Sequence, residues 1–259
     1  MIKVINRKIK HFLRRIVLRA NKKLGITLQG EKNLFKKQNL LNNFIGILNH
    51  QNWKPNFIMD IGANHGTWTR IIKDSFPDAK FLMVEPQAWL KPSFEDLLDN
   101  KTTFLPAGAG KENGIMLFTI NSERDDSSCF SMTALEADQK GFKQMEIPVW
   151  TINHILQDHG GQVPDIIKID AEGLDIDVLH GASNTFGVTE IFLVEVSINA
   201  LFQETSMLNV LRFMDNNGYR FFEITDINRP FSNNVLWLME FVFVRKGGYF
   251  DNIKWYDEH

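Results

Sequence analysis

The chain has 259 residues, a single cysteine, and 44% apolar, 23% charged and 12% aromatic residues. This composition suits one folded domain with an appendage and excludes the disordered, collagen-like and disulfide-scaffold classes. Cys129 has no partner for an internal disulfide, so nothing asks for an oxidising compartment and a cytoplasmic location is expected. The net charge of −2 hides an asymmetry: residues 1–37 hold 12 Lys/Arg against one acid, Glu31, leaving this arm near +11 and the rest near −13.

Within the arm, Ile2, Ile5, Ile9, Phe12, Leu13, Ile16 and Ala20 recur at spacings of three and four, and Lys3, Arg7, Lys8, Lys10, Arg14, Arg15 and Lys22 fill the other faces. The pattern predicts a basic amphipathic helix. Residues 1–24 would suit an anionic membrane surface, where each nearby Lys or Arg contributes roughly 1 kcal/mol. Packing on its own domain, packing on a second subunit, and nucleic acid are the competing uses. The longest apolar stretch, Val235 to Val244, is interrupted by Glu240 and is about half the ~20 residues of a membrane span. The arm also lacks the apolar run of a secretory signal. Gly25 to Gly30 suggests a linker, and Leu34 to Asn49 predicts a second, covering helix. Residues 1–50 are assigned to the arm and this helix, and residues 51–259 to the main domain.

From Asn56 onward, short apolar runs alternate with helical patterns, the mark of βα repeats and a mostly parallel sheet. Main strands are expected at Phe57–Ile61, Phe81–Glu85, Thr103–Ala107, Asp165–Asp170, Ile191–Val196, Arg220–Ile224 and Leu236–Val244. Helices are expected at Thr67–Ser75, Gln87–Asp99, Thr151–Gln157, Asp175–His180 and Met207–Asn217. Gly114–Ile120 and Glu146–Trp150 predict an inserted β pair, joined by an acidic loop with a short helix in Asn121–Lys140.

The most informative block is Phe57-Ile-Met-Asp60-Ile-Gly62-Ala-Asn64-His65-Gly66-Thr67. A buried strand ends at Asp60, the turn carries Gly62, Asn64 and Gly66, and a helix begins near Thr67. Such a turn at the carboxyl end of a strand is where open α/β sheets bind ligands. Glu85, ending the next strand, can accept both hydroxyls of an adenosine ribose. NAD and S-adenosylmethionine both present that ribose. The turn lacks the G-x-G-x-x-G spacing, and Asp60 would repel a pyrophosphate while attracting an ammonium and a sulfonium. The expected cofactor is therefore S-adenosylmethionine, bound by Asp60, Gly62, Asn64, Gly66 and Glu85.

These blocks resemble the FkbM-type S-adenosylmethionine-dependent methyltransferases of the class I fold. The resemblance runs over roughly Asn56 to Lys246, through Asp60-Ile-Gly-Ala-Asn-His-Gly66, Val84-Glu85-Pro86, Val149-Trp-Thr-Ile152, Ile167-Lys168-Ile-Asp170-Ala-Glu172-Gly173 and Val178-Leu-His-Gly-Ala182. It implies an α/β, Rossmann-like seven-stranded sheet whose last strand is antiparallel. It also implies O-methylation of a hydroxyl on a sugar, glycan or related small molecule. The family more often has Leu-Asp where Ile152-Asn153 stand, and usually Asp where Glu240 stands.

Methyl transfer to an alcohol needs positioning and help in removing a proton. Asp170 and Glu172 follow the fourth main strand on the rim that carries Asp60 and Glu85. Asp170 is expected to orient cofactor or acceptor, with Glu172 the leading base and Glu195 the second. The same three could serve as oxygen ligands for a divalent metal, but the seven His form no HExxH motif and Cys129 has no companion for a zinc site, so no metal is expected. Two other functions compete. Nucleic-acid methylation is disfavoured by the acidic body and the lack of an Asp-Pro-Pro-Tyr or Asn-Pro-Pro-Tyr motif. A catalytically silent scaffold is disfavoured by the intact Asp60, Gly62 and Glu85.

Overall fold

The structure is a computed structural model that describes residues 37–121, 129, 132–199 and 205–253. The basic helix expected in the arm, the linker after it and the acidic residues 122–128 lie outside the described residues. The chain divides into two compact units, Met1–Asn39 and Leu40–His259.

The second unit is a three-layer α/β/α sandwich. In chain order its elements are α1 (Lys37–His50, begun in the first unit), β1 (Phe57–Ile61), α2 (Thr67–Ser75), β2 (Lys80–Val84), β3 (Thr102–Leu105), β4 (Gly108–Ala109) and β5 (Gly114–Ile120). There follow α3 (Ala134–Lys140), β6 (Lys143–Trp150), α4 (Ile152–Asp158), β7 (Ile166–Ile169), α5 (Asp175–His180), β8 (Ile191–Ser197), α6 (Met207–Asn216), β9 (Tyr219–Asn228) and β10 (Leu238–Arg245).

Seven strands form the main sheet in the order β3-β2-β1-β7-β8-β10-β9. β10 runs antiparallel to both its neighbours, while the pairs among β3, β2, β1, β7 and β8 are parallel. This is the Rossmann-like, class I arrangement. Parallel strands covered on both faces read as continuous apolar runs, and β1 and β7 are buried along their whole length.

Alternation along each strand sends side chains to opposite faces. Ile58, Ile166, Leu193 and Val242 pack under Leu41, Phe44, Ile45 and Leu48 of α1 and Ile72 of α2. Met59, Ile167, Phe192 and Phe243 pack against Ile155 of α4, Leu179 of α5 and Met214 of α6. Truncating one such buried Phe or Ile to Ala costs about 2–5 kcal/mol.

Two expectations are corrected. The helix expected at Gln87–Asp99 is instead a pair of 3-10 turns, Ala88–Ser93 and Glu95–Leu97, because Pro92 has no N–H to give an α-helical ladder. The inserted β pair is a three-stranded sheet of order β4-β6-β5, with Gly108–Ala109 as a short third strand. The short helix expected between the pair is α3, capped by a reciprocal Thr133–Glu136 box.

Candidate active site

The strand order reverses between β1, which leads outward to β2 and β3, and β7, where the chain re-enters the centre. Open α/β sheets bind ligands in the crevice at the carboxyl end of such strands. Here the crevice is edged by the turn after β1. Gly62 has φ +74, Asn64 φ +47 and Gly66 φ +70. The amides of Gly62 and Ala63 both donate to the Val84 carbonyl, at 2.9 and 3.2 Å. A Cβ on Gly62 would stand 1.8 Å from the Asp170 carbonyl oxygen, so only glycine lets this turn approach the end of β7.

Glu85 clamps the turn from the neighbouring strand. Its Oε2 accepts the Asn64 amide at 2.8 Å and its Oε1 the Gln87 amide at 2.9 Å. Only 3% of the residue is exposed. Burial pushes its carboxyl above the ordinary range, against the pull of those two amides. Between these groups lies a cavity of about 110 Å³ walled by Gly62, Asn64, Glu85, Phe118, Asp170 and Glu172, among others.

A second cavity, of about 380 Å³, lies over the ends of β7 and β8, with Glu172, Asp175, Glu195, Ser197, Thr205 and Trp237 in its wall. Glu172 belongs to both walls. It holds a left-handed backbone, φ +49, beside Gly173 at φ +101. Such a conformation is strained for a residue with a side chain and is found most often where function demands it. Asp175, at the start of α5, ties this loop by accepting the amides of Ala171 at 2.9 Å and Gly173 at 3.3 Å. Burial, opposed by those amides, lifts Asp175 to about 7. Burial first, then the facing Asp170, Asp175 and Glu172, raises Glu195 well above the carboxylate range, with Lys168 pulling the other way.

Of the residues expected to hold the cofactor, Gly62, Asn64 and Glu85 stand in the wall of the first cavity. Asp60 and Gly66 do not. Asp60 shares its sheet face with Ile58, not with the cavity-lining Ile61, because the strand alternates. Its Oδ2 accepts the Thr69 hydroxyl at 2.6 Å and its Oδ1 lies 3.6 Å from Lys168 Nζ. Gly66 serves packing, since a Cβ there would meet Phe94 and Leu97 at 2.9 Å. Asp170 and Glu172 are brought to the same wall, and Glu195 to the adjoining one. Among the described residues no group of three His, Cys, Asp or Glu is placed to hold a metal ion. No described helix is long and apolar enough to cross a membrane.

Sequence inspection missed several wall residues. Cys129, which has no partner for a disulfide or a zinc site, borders the first cavity through its bridge to Thr119. Thr205 and Trp237 reach the second from parts of the chain that carry no motif. Lys168, behind the walls rather than in them, pairs with Asp60 and Asp170, contacts that its place in the Ile-Lys-Ile-Asp string does not reveal.

No curated protein matches the chain. Solved structures of similar shape include the plantazolicin methyltransferase BamL with a triazolic desmethylPZN analog and S-adenosylhomocysteine (8% identity, 90% of each chain covered, TM-score 0.47). Another is 1,6-didemethyltoxoflavin-N1-methyltransferase from Burkholderia thailandensis with 1,6-didemethyltoxoflavin and S-adenosylhomocysteine (10%, 93% of this chain and 90% of that one, 0.44). A third is the N-methyltransferase NodS from Bradyrhizobium japonicum WM9 (8%, 79% and 96%, 0.45). The methyltransferase FkbM domain model matches residues 60–221, from the aspartate of the glycine turn into β9. The chain therefore belongs to the FkbM methyltransferase family, whose methyl donor is S-adenosylmethionine.

Proposed function

We propose that this enzyme is an O-methyltransferase acting on a hydroxyl of a sugar, glycan or related small molecule. The observation that carries this reading is Glu172, held at φ +49 in the walls of both cavities. One cavity has the groups a nucleoside needs. Glu85 holds the Asn64 and Gln87 amides and the Gln87 side chain, and is the carboxylate that this wall turns to the ribose hydroxyls in this reading. Phe118 and Ala109 add apolar wall for a base, and Gly62 and Asn64 bring backbone close. When bound, S-adenosylmethionine supplies a methyl carbon made electrophilic by a sulfonium.

The other cavity receives the acceptor in this reading. Trp237 offers an indole to an apolar sugar face, and Ser197, Thr205 and Glu195 offer hydrogen-bonding groups to hydroxyls. Glu172 takes the hydroxyl proton, and Asp170 orients the groups that meet at the shared wall. Asp60 and Gly66 act from beneath, by fixing Thr69, Lys168 and the turn.

The test is incubation of the purified protein with methyl-labelled S-adenosylmethionine and a panel of free saccharides, lipid-linked saccharides and RNA. Label is expected on a saccharide hydroxyl. Label on RNA alone, or on no saccharide while donor binding is normal, contradicts the reading. The arm near +11 supports an acceptor met at an anionic membrane surface. Deleting residues 1–24 is then expected to abolish sedimentation with anionic liposomes, and unchanged sedimentation removes that part.

A further inference from the structure

Lys168 is the one charged residue of β7 (Ile-Ile-Lys-Ile) and is 4% exposed. A lysine is not placed in the middle of a sheet for packing, because its ammonium must be compensated there. The compensation comes from several strands. Asp170 Oδ2, at the end of β7, accepts from Nζ at 3.1 Å. Asp60 Oδ1, on the register partner in β1, lies at 3.6 Å and accepts no hydrogen bond among the described residues. Glu240 on β10 also acts on Lys168, and Glu195 on β8 feels its charge. Lys168 is in the wall of neither cavity, whereas Asp170 is in the wall of the first.

We infer that Lys168 is a positioning residue of the methyl-transfer site: its ammonium, between Asp60 and Asp170, holds the Asp170 carboxylate at the wall of the cofactor cavity. This rests on the proposed reading of that cavity. The arrangement forms a relay from scaffold to site. The hydroxyl of Thr69 on α2 holds one oxygen of Asp60. The other oxygen of Asp60 faces Lys168, and Lys168 holds Asp170. Without the ammonium, the buried Asp60 carboxylate and the one-third exposed Asp170 carboxylate face each other with no counter-ion, and Asp170 is the one free to swing away.

The experiment is calorimetric titration with S-adenosylhomocysteine of the wild type, Lys168→Met, Asp170→Asn and the Lys168→Met/Asp170→Asn pair, with melting temperatures taken alongside. Lys168→Met is expected to weaken binding by about tenfold, yet by less than about threefold when Asp170 is already Asn, because Lys168 acts through Asp170. A lysine that serves the core alone lowers the melting temperature and weakens binding alike in both backgrounds, and that additive result overturns the inference. So does undiminished binding by Lys168→Met. If Lys168→Met does not fold, the same comparison, with and without Asp170→Asn, is made in an Asp60→Asn background, since removing both charges of the pair leaves no buried charge from it uncompensated. Failure of a folded wild type to bind S-adenosylhomocysteine is a different result, and it overturns the reading of the cavity instead.

Discussion

Gly62 and Asp170 meet so closely that the turn after β1 and the end of β7 leave no room for a side chain between them: a Cβ on Gly62 would lie 1.8 Å from the Asp170 carbonyl oxygen. The two ends of the site are thereby locked to one another. With φ at +74 as well, Gly62→Ala combines backbone strain with a clash against backbone, and is expected to cost about 3 kcal/mol or more. Urea unfolding checks this. Gly114→Ala, where nothing lies within 4 Å, is the control and should unfold within about 0.5 kcal/mol of wild type.

Glu172 is expected to matter for the chemical step more than for cofactor binding. Glu172→Gln keeps the shape and removes the base, so kcat on the identified acceptor should fall by about 10²–10⁴, while S-adenosylhomocysteine affinity stays within about threefold. An unchanged kcat moves the role of base to Glu195.

The second cavity predicts a separate signature. Trp237→Ala removes an indole from its wall and should raise the acceptor KM by about tenfold without changing the KM for S-adenosylmethionine. Steady-state kinetics with each substrate varied in turn distinguishes the two. A rise confined to the donor KM contradicts the assignment of the cavities.

Stability should depend on pH through the buried carboxyls. Burial, opposed by Lys168 and Thr225, lifts Glu240 to about 7; Asp175 reaches about 7 in the same way. A carboxyl whose pKa is higher in the fold than in the unfolded chain holds its proton more tightly when folded. Its contribution is complete below the unfolded pKa and is lost as pH rises through the folded value. Stability from these two groups should therefore decline between about pH 4.5 and 7, by up to ~1.4 kcal/mol per pH unit each. Glu240→Gln removes one of the two slopes. Unfolding free energies of wild type and variant across this range check the difference, and parallel curves contradict it.

Much of this architecture was legible in the sequence because it is carried by local patterns. Apolar runs mark β1, β2, β7 and β8, and the glycines and carboxylates that follow them mark the rim. What escaped depends on geometry between distant residues. The direction of Asp60 follows from strand parity, which sends its side chain to the face of Ile58 and Thr69 and away from the cavity. The ion pairs of Lys168 require β1 to lie beside β7. Trp237 comes to the second cavity because β10 pairs with β8, Thr205 because its carbonyl accepts the Ser197 amide at the end of β8, and a two-residue strand such as Gly108–Ala109 has no periodicity to detect.

In the proposed reading the first cavity holds the adenosine part of the methyl donor on Glu85. Calorimetric titration of wild type and Glu85→Ala with S-adenosylhomocysteine tests it most directly. The expected result is one site of roughly micromolar Kd, about −8 kcal/mol, in the wild type, weakened by at least about tenfold in a Glu85→Ala variant that remains folded. Equal binding by the two proteins, or none by a folded wild type, would contradict it.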